Sequence, residues 1–307
     1  MKATLARVNK RLGDKLYSGG FLAPSFVGVM VFFIIPFFVV IYYALIDSPI
    51  GRNFVFLQNF QRVLGNLAFQ TAARNTVSFS IVAVPLAVVL ALGLAVLLEQ
   101  KLPLKSQLRT LFLSPLMVPV ASIVLIWQVL FHQNGAINDM LSNLAASTGL
   151  FSYDRALGQW IDWFYSPQNQ MPIVILFLWR NLGYNMILFM AALNNIPRDL
   201  LEVASLEGGN NWYIFRSIKL RFLSPTILFV TILSVINSFK IFREVFLLTG
   251  THPYGGLYLM QHYMNNMFHN LDYQSLAAAA IIMAIVVGLI IGVFFTVENW
   301  YGKDIEG

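Results

Sequence analysis

Six long apolar stretches dominate the chain, each set off by polar segments that carry most of its charge. They run roughly over Phe21–Ile46, Ala72–Leu98, Thr110–Phe131, Pro172–Leu193, Ser224–Leu248 and Leu276–Val297. A helix needs about 20 mostly apolar residues to cross a hydrocarbon core of about 30 Å, and each stretch is long enough to do so. The pattern predicts an all-α membrane protein of about six transmembrane helices. The first stretch is too long for the apolar part of a cleaved leader, and no small-residue cleavage site closes it, so it reads as an anchor.

Composition narrows this further. Of 307 residues, 58% are hydrophobic and 11% charged. A soluble domain carries about 25% charged residues to wet its surface, so the solvent for most of this surface is lipid. The net charge of +6 sits in particular loops and forms no patch of the kind that binds nucleic acid. With no cysteine, thiolate metal sites and cysteine nucleophiles are excluded.

The basic residues set the orientation. Lys2, Arg7, Lys10, Arg11, Lys15, Lys101, Lys105, Arg109, Arg198, Arg216, Lys219, Arg221 and Lys303 fall on one side of the expected spans. The other side offers Arg52, Arg62 and Arg155, with Arg74 at the foot of the second span. By the positive-inside rule both termini are cytoplasmic. The expected organisation is a cytoplasmic tail over 1–20, a transmembrane domain over 21–299 and a second cytoplasmic tail over 300–307. Pro36, Pro85, Pro115 and Pro119 lie inside spans, where they bend helices for packing or for gating.

The loop over 196–226 is more than a connector. Pro197 suits a first helical position and Arg198–Glu207 holds good helix formers. Gly208-Gly209 can stop that helix, Asn210-Asn211 can cap the next, and a second amphipathic helix starts near Trp212. The result is a helix–turn–helix with an apolar face of Leu200, Leu201, Ala204, Trp212 and Phe215, suited to a protein partner or to lying on the membrane surface.

These residues carry a resemblance. Glu202-Val203-Ala204, then Gly208, then Ile218-Lys219-Leu220 after nine more residues, resembles the EAA loop of binding-protein-dependent ABC importer permeases (Glu-Ala-Ala, three residues, Gly, nine residues, Ile-x-Leu-Pro). Val203 replaces the second Ala, and Arg221 stands where that motif has Pro. The likeness extends to Leu113-Ser114-Pro115 with Pro119 and Trp127, to Asn134–Leu141, to Trp179-Arg180 with Gly183-Tyr184-Asn185, and to Ser238-Phe239-Lys240 with Phe242 and Leu248-Thr249-Gly250. Together these are similar to the maltose-type, carbohydrate-importing permeases.

The resemblance implies a type I importer permease in a bacterial or archaeal cytoplasmic membrane. It implies a second permease subunit of different sequence, two ATPase subunits that bind ATP and Mg²⁺, an external solute-binding protein and a sugar substrate. It makes Glu202, Ala204, Gly208, Trp212 and Phe215 the residues that couple to the ATPase. The chain itself has no G-x-x-x-x-G-K-[ST] phosphate loop and no catalytic constellation, so hydrolysis is expected on another polypeptide and no cofactor on this one.

Charges inside spans are costly and mark function by default. Arg180 lies in the fourth span and Lys240 in the fifth, where Lys240 either meets solute or pairs with Glu244 one turn on. Asn181, Tyr184, Asn185 and Asn237 offer the donors and acceptors a neutral sugar needs, with Phe239 a flat apolar face; bonding between helices is the other use of such side chains. His132, His252, His262 and His269 read as solvated loop histidines with no metal-ligand spacing. The alternative substrates are glycerol phosphate, a polyol or a peptide, and the alternative class is a secondary transporter, which would bury coupling carboxylates.

Overall fold

A computed structural model of the chain describes residues 20–100, 103–149, 161–166 and 169–302. Both tails expected to be cytoplasmic, except Gly20 and residues 300–302, lie outside the described residues, as do Lys101 and Arg155. Among the described residues the chain is helical, with one isolated bridge between Ile46 and Phe54.

Contacts divide the chain into two units, residues 1–65 with 267–283 and residues 66–266 with 284–307. In the first, α1 (Gly20–Leu45) is long and apolar enough to span a membrane and buries none of its most apolar window within the chain. It accommodates Pro36 by widening one turn over Met30–Ile34, which the Ile35 amide closes on the Met30 carbonyl. α2 (Gln58–Leu64) is tied back by buried Asn59, whose Nδ2 donates to the carbonyls of Ala44 and Ile46 at 2.9 and 2.8 Å.

The second unit is built on α3 (Leu67–Glu99), α7 (Gln170–Asn194) and the long rod α9 (Asn211–Thr249). One edge of α3 carries Ala83, Ala87, Ala91 and Ala95 at i, i+4 spacing, all fully buried. Small side chains there let helices approach closely, which matters where lipid gives no hydrophobic drive to association. Two apolar clusters fill the unit: Phe79, Trp127, Leu176, Phe177 and Val245 in one, and Leu98, Met186, Phe189, Leu223 and Val230 in the other. The final helix, α11 (Tyr273–Gly302), supplies Ile290 and Phe294 to the second cluster.

The third expected span is not one straight helix. It forms α4 (Lys105–Met117) and α5 (Val120–Leu130), bent by 101° at Val118-Pro119. Pro119 cannot donate a backbone bond, and it holds Val118 in extended backbone at ψ 128°. Pro85 and Pro115 sit inside α3 and α4 without ending them. Counting α4–α5 as one broken span, the described residues hold six membrane-crossing candidates. α6 (Ala136–Thr148) follows, and its buried Asn138 is held by the Trp163 indole at 3.1 Å.

α4 meets α7 at Gly183. A Cβ there would lie 2.0 Å from the carbonyl oxygen of Phe112, so only glycine admits this crossing. α3 starts before its apolar stretch because Asn66 caps it by accepting from the amides of Ala68 and Phe69, and α9, at 39 residues, starts well before Ser224.

Candidate functional site

In the C-terminal half of α9 a break at Ile241 separates Leu220–Lys240 from Phe242–Thr249. Beside the break, α7 and α9 supply most of the lining of a cavity of about 730 Å³. Its wall includes Arg180 and Asn181 from α7, Asn237, Lys240, Arg243 and Glu244 from α9, Leu116 from α4, and Gln261 from α10 (Met260–His269). This volume is in the usual range for small-ligand sites.

Arg180 forms an ion pair with Glu244. The carboxylate is 3% exposed, and neither its Oε2 nor Arg180 Nε finds a hydrogen-bond partner among the described residues. Lys240 therefore does not take Glu244 as its partner. It is exposed on the cavity wall and makes no ion pair among the described residues. Asn237 Nδ2 donates to Asn181 Oδ1 at 3.0 Å, and Asn181 Nδ2 donates to the Phe177 carbonyl at 2.8 Å.

The other candidate solute contacts fall outside the cavity lining. Asn185 is buried one turn along α7 and donates to Ser234 Oγ at 3.0 Å, a helix-to-helix bond. Phe239 packs on the second apolar cluster, and Tyr184 is exposed on α7. Arg243 and Gln261 join the wall without having stood out in the sequence. Arg243 carries the same signal as Lys240, a charge inside an apolar span; Gln261 carries none.

A clamp of amide side chains holds the segment after α9 against the top of the bundle. Asn75 Nδ2 donates to the carbonyls of Gly255 and Tyr258, Gln170 Nε2 to that of Gly256 at 2.8 Å, and Asn169 Nδ2 to that of Tyr254 at 2.7 Å. His262 on α10 is fully buried beneath it, so it is not a solvated loop histidine. Its ring lies 4.7 Å from that of Phe242, Nδ1 accepts from the Leu259 amide, and Nε2 has no partner among the described residues. Burial, with His252 nearby, pushes its pKa down to about 4. Burial also raises that of Tyr258.

At the other end of α9 lies the helix–turn–helix. α8 (Arg198–Leu206) ends on Gly208 in left-handed backbone at φ 85°, where the residue's missing Cβ avoids strain. Asn210 Oδ1 then caps α9 by accepting from the Tyr213 amide at 2.7 Å. Leu200, Val203, Leu206 and Trp212 are exposed, and so is Glu202; Ala204 and Phe215 are half-buried, with the Phe215 ring 5.8 Å from that of Trp212. A widened turn over Phe215–Lys219 precedes the span, and Lys219 Nζ meets Glu99 Oε2, at the end of α3, at 2.6 Å.

The family profile described as "Binding-protein-dependent transport system inner membrane component" matches residues 83–299. The lactose transport system permease protein LacF of Rhizobium radiobacter is 30% identical over 231 residues, 74% of each chain. The trehalose/maltose transport system permease protein MalF of Thermococcus litoralis is 29% identical over 272 residues, 87% of this chain and 88% of that one. The fold is similar to that of a chain from a bacterial ABC transporter involved in the import of the acidic polysaccharide alginate, at a TM-score of 0.79 and 16% identity, covering 95% of this chain and 98% of that one.

Proposed function

Because the chain belongs to the family of binding-protein-dependent transport system inner membrane components, we propose that it is the permease subunit of an ATP-driven importer for a sugar or oligosaccharide. The relatives it matches over most of their length are named for lactose and for trehalose and maltose transport, which supports the saccharide class. An external solute-binding protein delivers the solute, a second permease of different sequence completes the pathway, and two ATPase subunits hold ATP and Mg²⁺. Both termini and the segment over 196–226 face the cytoplasm.

The observation that carries the coupling part is the exposed pair of helices around Gly208. α8 and the start of α9 present Leu200, Val203, Leu206 and Trp212 to solvent beside Glu202, an apolar surface rimmed by charge of the kind that docks a protein. α9 runs from that surface to the cavity wall at Asn237 and Lys240. ATPase closure moves the docked helices, and the rod carries the displacement to the solute site. Because such coupling is reciprocal, a loaded binding protein that favours one state of the bundle also favours ATP binding.

Glu202→Lys in the reconstituted complex tests this. Uptake and solute-stimulated ATP hydrolysis should both fall while the purified chain keeps its melting temperature. Wild-type uptake with wild-type stimulation would refute the assignment.

A further inference from the structure

The cavity beside the Ile241 break gathers three cations, Arg180, Lys240 and Arg243, and one carboxylate, Glu244. Arg180 already engages that carboxylate. Lys240 and Arg243 are both exposed on the wall and have no ion pair among the described residues. Of the wall's neutral amides, Asn181 and Asn237 are bonded to one another, which leaves Gln261 beside the two cations. The hydrogen-bonding capacity left open is therefore dominated by ammonium and guanidinium donors.

A neutral saccharide has no use for that surplus. Its hydroxyls need donors and acceptors in similar number, and amide or hydroxyl side chains supply them without charge. Two cations with no ion pair are costly to keep within a span, which makes them poor structural filler. A cleft lined by one sign of charge with low-dielectric walls concentrates ligands of the opposite sign. Guanidinium also matches the two oxygens of a carboxylate or phosphate edge. From this we infer that the cavity selects an anionic saccharide, with Lys240 and Arg243 meeting its acidic groups. The inference rests on the import function proposed above and adds the charge of the cargo.

The test uses the whole transporter with its binding protein in proteoliposomes, and three probes: trigalacturonate, glucose 1-phosphate and neutral maltotriose. An anionic probe should be taken up in preference to maltotriose, and which one wins identifies the acidic group as carboxylate or phosphate. In Lys240→Gln/Arg243→Gln the ratio of anionic to neutral uptake should fall at least tenfold, with the same binding protein present. The charge-keeping pair Lys240→Arg/Arg243→Lys should retain the preference, which separates loss of charge from loss of fold. Maltotriose taken up in preference, or a ratio unmoved by the Gln pair, overturns the inference and leaves the import function standing; the cations would then serve the second permease or lipid headgroups. No uptake and no ATPase stimulation by any saccharide overturns the import function itself.

Discussion

Arg180 on α7 and Glu244 on α9 form an ion pair across the break at Ile241, fixing the second half of α9 against the neighbouring helix. Glu244 is the more buried partner. Its chain neighbour Arg243 lines the same cavity but is exposed and makes no ion pair among the described residues, so of two adjacent charges one holds the bend and the other does not.

Arg180→Met strands a buried carboxylate and should destabilise the chain by roughly 3 kcal/mol or more. Removing both charges, in Arg180→Met/Glu244→Leu, should recover much of that loss, since well-packed apolar pairs often match buried ion pairs. Thermal unfolding in detergent measures both. A double variant as unstable as the two single variants combined would refute the pairing.

At Gly183 any side chain meets the Phe112 carbonyl. Gly183→Ala should cost roughly 4 kcal/mol or more, among the largest single-residue effects, and lower the yield of folded chain. Gly93 on α3 has open space where a methyl group would stand, with no neighbouring atom within 4 Å. Gly93→Ala should therefore be neutral or stabilising by about 0.5–1 kcal/mol, which controls for membrane insertion.

The Lys219–Glu99 bond links the widened turn at the base of α9 to the end of α3. Both side chains are partly exposed, so breaking the bond should cost stability only about 1 kcal/mol or less. Under the proposed coupling its effect on transport should be larger, because the turn would then transmit motion from the docked helices. Lys219→Glu should lower solute moved per ATP hydrolysed, and Glu99→Lys in the same chain should restore it. Equal coupling ratios in all three proteins would remove the bond from the mechanism.

His262 ties stability to pH. Its pKa is about 4 in the fold, against 6.5 for an ordinary histidine. The unfolded chain takes up a proton as pH falls through 6.5 and the folded chain does not until about 4. Stability is therefore lost over that interval, by up to about 1.4 kcal/mol per pH unit, and the dependence is absent at higher pH. Melting temperatures between about pH 7.5 and 4.5, a range that covers the upper limit and most of this interval, should fall less steeply in His262→Phe than in the wild type.

Helix positions are legible in the sequence because lipid demands long apolar runs, and such runs leave little choice of structure. The turn at Gly208 and the cap at Asn210 are legible for a different reason: glycine and asparagine have local backbone roles that need no tertiary context. The 101° bend is not. Pro85 and Pro119 look alike in sequence, yet α3 runs through one and the chain turns at the other. The cavity is half legible, since intramembrane charge singles out Arg180 and Lys240. Whether Glu244 joins Lys240 or Arg180 depends on the break at Ile241, and no local pattern marks that break. His262 departs from the solvated-loop expectation because its burial comes from rings on a different helix.

The bond between Asn181 and Asn237 has a kinetic meaning for the proposed pathway. Amides that already satisfy each other offer a neutral hydroxyl little, since it only exchanges one such contact for another, at small net gain. In the proposed pathway the hydroxyls of a saccharide would then be held loosely at this pair of amides, which would favour release within each stroke.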